Sequence, residues 1–147
     1  MHENAHLIEF LHLPKGLTEA ALVETITAYV KDYEAQLVRL VYNFISAQEL
    51  LHLNQRHLEH NYETDILTFD YGTPTCLEAE VYISLQALEE APQRFSQTPE
   101  NEAIRLIGHG LFHCLGQKDK SDQEKKEMRL LEDNFIERFH VKQQDYV

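Results

Sequence analysis

Thr98-Pro99-Glu100-Asn101-Glu102-Ala103-Ile104-Arg105-Leu106-Ile107-Gly108-His109-Gly110-Leu111-Phe112-His113-Cys114-Leu115-Gly116-Gln117-Lys118-Asp119 reads as one long helix and the turn that ends it. Thr98 is an N-cap residue, Pro99 suits the first helical position, where no N–H is needed, and Glu100 complements the helix dipole. Ile104, Ile107, Leu111 and Leu115 recur at helical spacing, and Gly116 supplies the left-handed residue that stops the helix. His109 and His113 lie four residues apart, so both imidazoles leave one face about one turn apart. Asp119 follows Gly116 by three residues, and a chain reversing at the glycine can return its carboxylate to the same point. Two imidazoles and a carboxylate leave a fourth position for water, the pattern of catalytic rather than structural zinc sites. Zinc is the first choice, and manganese, nickel or iron would accept the same donors.

Outward from this stretch the chain alternates strands and helices. His6 to His12 reads as a strand closed by Pro14-Lys15-Gly16, and Thr18 to about Glu34 as a helix burying Ala21, Leu22, Ile26, Tyr29, Val30 and Tyr33. Gln36 to Ile45 is a strand with Val38, Leu40, Tyr42 and Phe44 on one face and Arg39 and Asn43 on the other. Ser46 and Glu49 form a capping box for a helix running towards His60-Asn61. Ile66–Asp70 and Ala79–Ser84, joined by a Gly- and Pro-containing loop, predict an antiparallel pair. A helix over Gln86–Phe95 should be interrupted near Pro92, and Ser121 with Glu124 opens a last helix whose core face is Met128, Leu131, Phe135 and Phe139. The expected fold is α+β: a small mixed four-stranded sheet covered by about five helices, with the metal site at the end of a helix and residues 1–147 forming one domain.

Composition narrows the function. Acids outnumber bases 25 to 13 in 147 residues, a formal net charge of −12, which excludes a broad cationic surface for polyanions. The start of the chain lacks the cationic flank and apolar core of a signal peptide, and no apolar run reaches membrane-spanning length, so a cytoplasmic protein is expected. Cys76 and Cys114 are expected as free thiols, Cys114 as a small buried hydrophobe. His52, His57 and His60 are irregularly spaced and read as surface residues, and Ser84 as a helix cap.

The spacing of His109, His113 and Asp119 equals that of the metzincin pattern, His-Glu-x-x-His-x-x-Gly-x-x-His, except that Gly110 stands for the glutamate and Asp119 for the last histidine. In those peptidases the glutamate is the general base, and glycine has no side chain to take a proton. The string instead resembles the signature of the YbeY family of metal-dependent endoribonucleases, His-Gly-x-Leu-His-Leu-x-Gly-Tyr-Asp-His, at His109, Gly110, His113 and Gly116. Leu53-Asn54, Thr64-Asp65-Ile66-Leu67-Thr68-Phe69, Glu80-Val81-Tyr82-Ile83-Ser84 and the pair Met128 and Glu132 continue the likeness in the same order.

The resemblance implies a single-strand-specific endoribonuclease of ribosomal RNA maturation, including the 16S 3′ end and ribosome quality control. Its expected partners are ribosomal RNA, ribosomal proteins or assembly GTPases, with no membrane and no nucleotide cofactor. Asp119 stands where the family usually has a third histidine, and Leu58 where it commonly has an arginine. Lys118 and Lys120 flank Asp119 and are the candidate RNA-phosphate contacts. Two other readings remain open: a metal-stabilised ribosome-assembly factor that does not cut, and a minimal zincin-like hydrolase. Between residues 118 and 142 seven basic balance seven acidic residues, so the acidic excess lies almost wholly in residues 1 to 117, where six basic face seventeen acidic.

Overall fold

The computed structural model describes residues 5–58 and 64–146, without the side chains of 5, 57 and 58. The chain runs β1 (Ile8–Leu11), α1 (Glu19–Asp32), β2 (Gln36–Ile45), α2 (Ala47–Leu58), β3 (Ile66–Asp70), β4 (Cys76–Ser84), α3 (Leu85–Phe95), α4 (Pro99–Cys114) and α5 (Asp122–Gln143). The strands form one sheet in the order β1-β2-β4-β3. β1, β2 and β4 are parallel and β3 is antiparallel to β4, which makes the sheet mixed and the architecture α+β as expected.

Side-chain alternation decides which face is buried. Leu40, Tyr42 and Phe44 of β2 and Leu77, Ala79, Val81 and Ile83 of β4 point into one core with the apolar faces of α1, α4 and α5. Val38, expected to join them, is exposed. The register slips between Leu37 and Arg39, so Val38 is the extra residue of a bulge and Leu37 takes the inward place. Leu50 of α2, Val41 and Leu67 are buried apart from that core, and α2 touches β3 and β4.

Three element boundaries depart from expectation for local reasons. β1 is shorter because Ala5–Leu7 forms a 3₁₀ turn and His12, at φ 63°, leaves the extended region. β4 begins at Cys76 because Thr73 and Cys76 exchange backbone hydrogen bonds of 2.9 and 3.0 Å, carrying the hairpin ladder to its tip. α3 runs unbroken past Pro92: one missing N–H costs less than exposing the buried face of Ala87, Leu88 and Ala91. The caps form as read, with Thr98 accepting from the Asn101 N–H at 3.1 Å, Ser84 from the Ala87 N–H at 3.1 Å and Ser121 in a full capping box.

α4 is the centre of the molecule, packed between sheet and α5. A Cβ on Gly110 would lie 3.2 Å from Val81 of β4, and one on Gly108 only 2.9 Å from the Phe135 ring of α5. Two residues along a helix is about 200° of rotation, so the two glycines thin opposite sides. This packing fixes the direction in which the next residue, His109, leaves the helix.

Candidate metal centre

His109, His113 and Asp119 converge, each offering a donor atom within 4.8 Å of the others. The Asp119 Oδ2 stands 3.5 Å from His109 Nε2 and 3.4 Å from His113 Nε2. Bonds of about 2.0–2.2 Å at the tetrahedral angle would set neighbouring donors about 3.3–3.6 Å apart, so this spacing fits one zinc-sized ion. Two negative or neutral oxygen and nitrogen donor types in this number are also the right chemistry for a divalent ion.

Local backbone makes half of this geometry. Gly116, at φ 105°, lets the Gly116 N–H reach the His113 carbonyl at 3.0 Å and the Gln117 N–H reach the Phe112 carbonyl at 2.9 Å, a Schellman ending. The same turn swings the Gln117 carbonyl onto His113, whose Nδ1–H donates to it at 2.9 Å. A carbonyl only accepts, so His113 carries its proton on Nδ1 and keeps the Nε2 lone pair for a metal. Gln117, a departure from the family string as a side chain, thus acts through its backbone.

Tertiary structure makes the other half. His109 Nδ1 donates to Glu132 Oε2 of α5 at 2.6 Å, which leaves its Nε2 for the metal as well. Glu132 also accepts from Arg105 Nη1 at 3.1 Å, and Arg105 grips Glu102 with two bonds of 2.8 and 2.6 Å. The two carboxylates are 1% and 3% exposed, so the guanidinium between them carries the charge balance of the buried cluster. Burial pushes the Glu132 carboxyl up, but the His109 hydrogen bond and the Arg105 charge outweigh it and hold the group below the usual range. Burial likewise opposes the Arg105 charge, and its two carboxylate partners more than restore it.

Two clefts meet at this group. One, of about 400 Å³, is lined by Thr64, Ile66, Thr68 and Asp70 of the β3 side together with His109, His113 and Asp119. The other, of about 260 Å³, shares His109 and Asp119 but is walled by Arg105, Lys125, Arg129 and Glu132. Lys118 and Lys120 are exposed in the turn and line neither cleft. Sequence reading passed over Lys125 and Arg129, although their i, i+4 spacing on the helix that carries Glu132 was a usable signal. Glu132 was marked by the family likeness and Arg105 by its i, i+3 spacing from Glu102, but no spacing in the sequence joins the two.

The remaining candidates are placed as follows. Cys114 is buried, and burial pushes its thiol up to about 12, which suits an inert core residue. Ser84 is 3% exposed and spends its oxygen on the α3 cap. His52 is exposed, while the side chains of His57, Leu58 and His60 lie outside the described residues. Gly110 faces Val81, so a glutamate there would meet the sheet rather than the metal group, and the peptidase arrangement has no room. Among the described residues no helix is long and apolar enough to cross a membrane.

Replacing Glu132 with glutamine tests the outer half of the site. The amide oxygen still accepts from His109, but the negative charge that makes the imidazole a better donor is gone. Zinc affinity, measured by chelator competition, should fall about 10–100-fold, the usual effect of losing such a partner.

The sequence profile described as Endoribonuclease YbeY matches residues 12–140. A curated Endoribonuclease YbeY from Flavobacterium johnsoniae is 32% identical over 125 residues, covering 85% of this chain and 90% of its own. One from Bacteroides fragilis is 34% identical over 113 residues, covering 77% and 81%. The solution structure of TM1509 from Thermotoga maritima superposes with a TM-score of 0.62 at 24% identity, covering 95% of this chain and 93% of that one, and supports the fold.

Proposed function

The chain belongs to the Endoribonuclease YbeY family, and from that premise we propose that it is a metal-dependent, single-strand-specific endoribonuclease of ribosomal RNA maturation. In this reading the whole chain acts as one unit in the cytoplasm. Its substrate includes the 16S 3′ end, it serves ribosome quality control, and ribosomal proteins or assembly GTPases supply further contact. The observation that carries the reading is the meeting of His109, His113 and Asp119 donors at the junction of two clefts.

The donors fit zinc, held by the two Nε2 atoms and the Asp119 carboxylate. When bound, the ion supplies Lewis acidity towards a phosphodiester oxygen and a lowered pKa for water. The chain's own part is to position. The Gln117 carbonyl and the Glu132 carboxylate hold both imidazoles in the tautomer that leaves Nε2 free to bind metal. Thr68 lends a hydroxyl to the larger cleft, where a ribose or phosphate oxygen would sit. Gly110 leaves no general base on α4, which separates this site from the zinc peptidases.

Purified protein should cut single-stranded RNA, lose that activity to a chelator and regain it with added zinc. Peptide cleavage, or RNA cleavage indifferent to chelation, would overturn the reading. Binding of ribosomal RNA precursors without cutting under all metal conditions would favour the assembly-factor alternative.

A further inference from the structure

We infer that Lys125 and Arg129, on the α5 side of the metal group, each bind one backbone phosphate, the two that follow the reacting one, so that single-stranded RNA passes from the β3 cleft across His109 and Asp119 onto α5. This rests on the endoribonuclease reading and adds a direction and a second contact surface to it.

The chain is acidic overall at −12, so a wall of cations beside the metal group runs against its composition. Lys125 and Arg129 are four residues apart on α5, hence on one face, and both line the smaller cleft with His109 and Asp119. They also line a neighbouring open hollow with Lys126 and Leu130, so the cationic path continues away from the centre. The opposite cleft is different: apart from the metal group its polar lining is Thr64, Thr68 and Asp70, with no lysine or arginine among the described residues. Among the described residues, a phosphodiester chain crossing the centre therefore meets lysine and arginine on the α5 side.

The three cations of that wall do different work. Arg105 is committed to Glu102 and Glu132, so it shapes the cleft without offering its charge outward. Arg129 lies 3.9 Å from Glu132 but is 61% exposed, and Lys125 is exposed, so both can turn to a solvent-borne phosphate at little cost. Arg129 stands beside the same Glu132 carboxylate that holds His109, which places it next to the metal group. Leu130, 69% exposed beside them, gives an apolar surface on which a base can lie once its backbone is held. Duplex RNA hides its bases, so this combination selects a single strand.

The test measures binding as well as cutting. Zinc-loaded protein is titrated against a short fluorescein-labelled 2′-O-methyl oligouridylate by anisotropy at several salt concentrations, for the native chain and for Lys125→Gln/Arg129→Gln. Loss of two phosphate contacts should weaken binding about tenfold at low salt and flatten the log K against log salt slope by about 1.4, at about 0.7 per contact for single strands. On unmodified RNA, KM should rise about tenfold with kcat nearly unchanged. Lys15→Gln/Lys31→Gln, exposed and lining neither cleft, should leave the slope as it is.

Unchanged affinity and slope in the α5 variant would overturn the inference, as would a parallel loss of zinc affinity, because the effect would then run through the metal group. Thermal unfolding separates misfolding from lost contact, and Lys125→Gln alone, at an exposed position, should flatten the slope by half as much. If the native chain binds RNA with this slope and never cuts it, the endoribonuclease reading fails while the α5 surface stands. If it cuts RNA with the same KM in both forms, the reading stands and the α5 surface fails.

Discussion

Replacing His113 with alanine should abolish metal binding and, with it, the proposed cleavage of single-stranded RNA, while the fold remains. His113 supplies one of three donors and is 32% exposed, held otherwise by a single hydrogen bond to the Gln117 carbonyl. Structural zinc sites with four protein ligands bind with about 10–16 kcal/mol, so one ligand's share is about 2.5–4 kcal/mol. That is a loss of two to three decades in affinity, roughly 10²–10³-fold, enough to empty the site at ordinary zinc concentrations. The stability cost of the truncation itself is small, about 1 kcal/mol for one hydrogen bond at a half-exposed position. Metal analysis, circular dichroism and RNA cleavage on the same preparation check all three statements. Full activity in zinc-free His113→Ala protein would end the metal mechanism.

Arg105→Ala should be the most damaging change for stability away from the apolar core. It leaves Glu102 and Glu132, both almost wholly buried, facing one another's neighbourhood without their shared counter-charge. Breaking a buried ion pair from one side costs about 3–5 kcal/mol. For a chain of this length each kcal/mol lowers Tm by about 2–4 °C, so a fall on the order of 10 °C is expected. Metal affinity should fall too, because Glu132 no longer has a fixed position from which to hold His109. Arg105→Lys keeps the charge but loses the two-bond grip on Glu102, and should recover part of the Tm and less of the metal affinity. A Tm within about 2 °C of the native value, well below what a broken buried pair costs, would show that the shared guanidinium does not hold the cluster.

These two changes differ in what could be foreseen. His109, His113, Gly116 and Asp119 lie within eleven residues, and their relative positions follow from helix geometry and one left-handed turn. Backbone rules over that distance leave little freedom, so the donor set was legible. The caps at Ser46, Ser84, Thr98 and Ser121 were legible for the same reason: each needs only a side-chain oxygen and an N–H three residues on. Where a longer-range contact competes with a local rule, reading failed. Val38 left the core face because pairing with β4 required a bulge, and Pro92 stayed inside α3 because the buried face outweighed one lost bond.

By itself, then, the amino-acid sequence determined the helices and their ends, the mixed α+β class, the one-sided burial of the strands and the three donors that point to a metal. The tertiary structure decided the order β1-β2-β4-β3, the close seating of α4 through Gly108 and Gly110, and the partners that complete the site. Glu132 reaches His109 across 23 residues and Arg105 reaches Glu132 across 27. Contacts of that span are set by how helices pack on a sheet, where the free-energy balance sums many small burial terms, and no local spacing encodes the result.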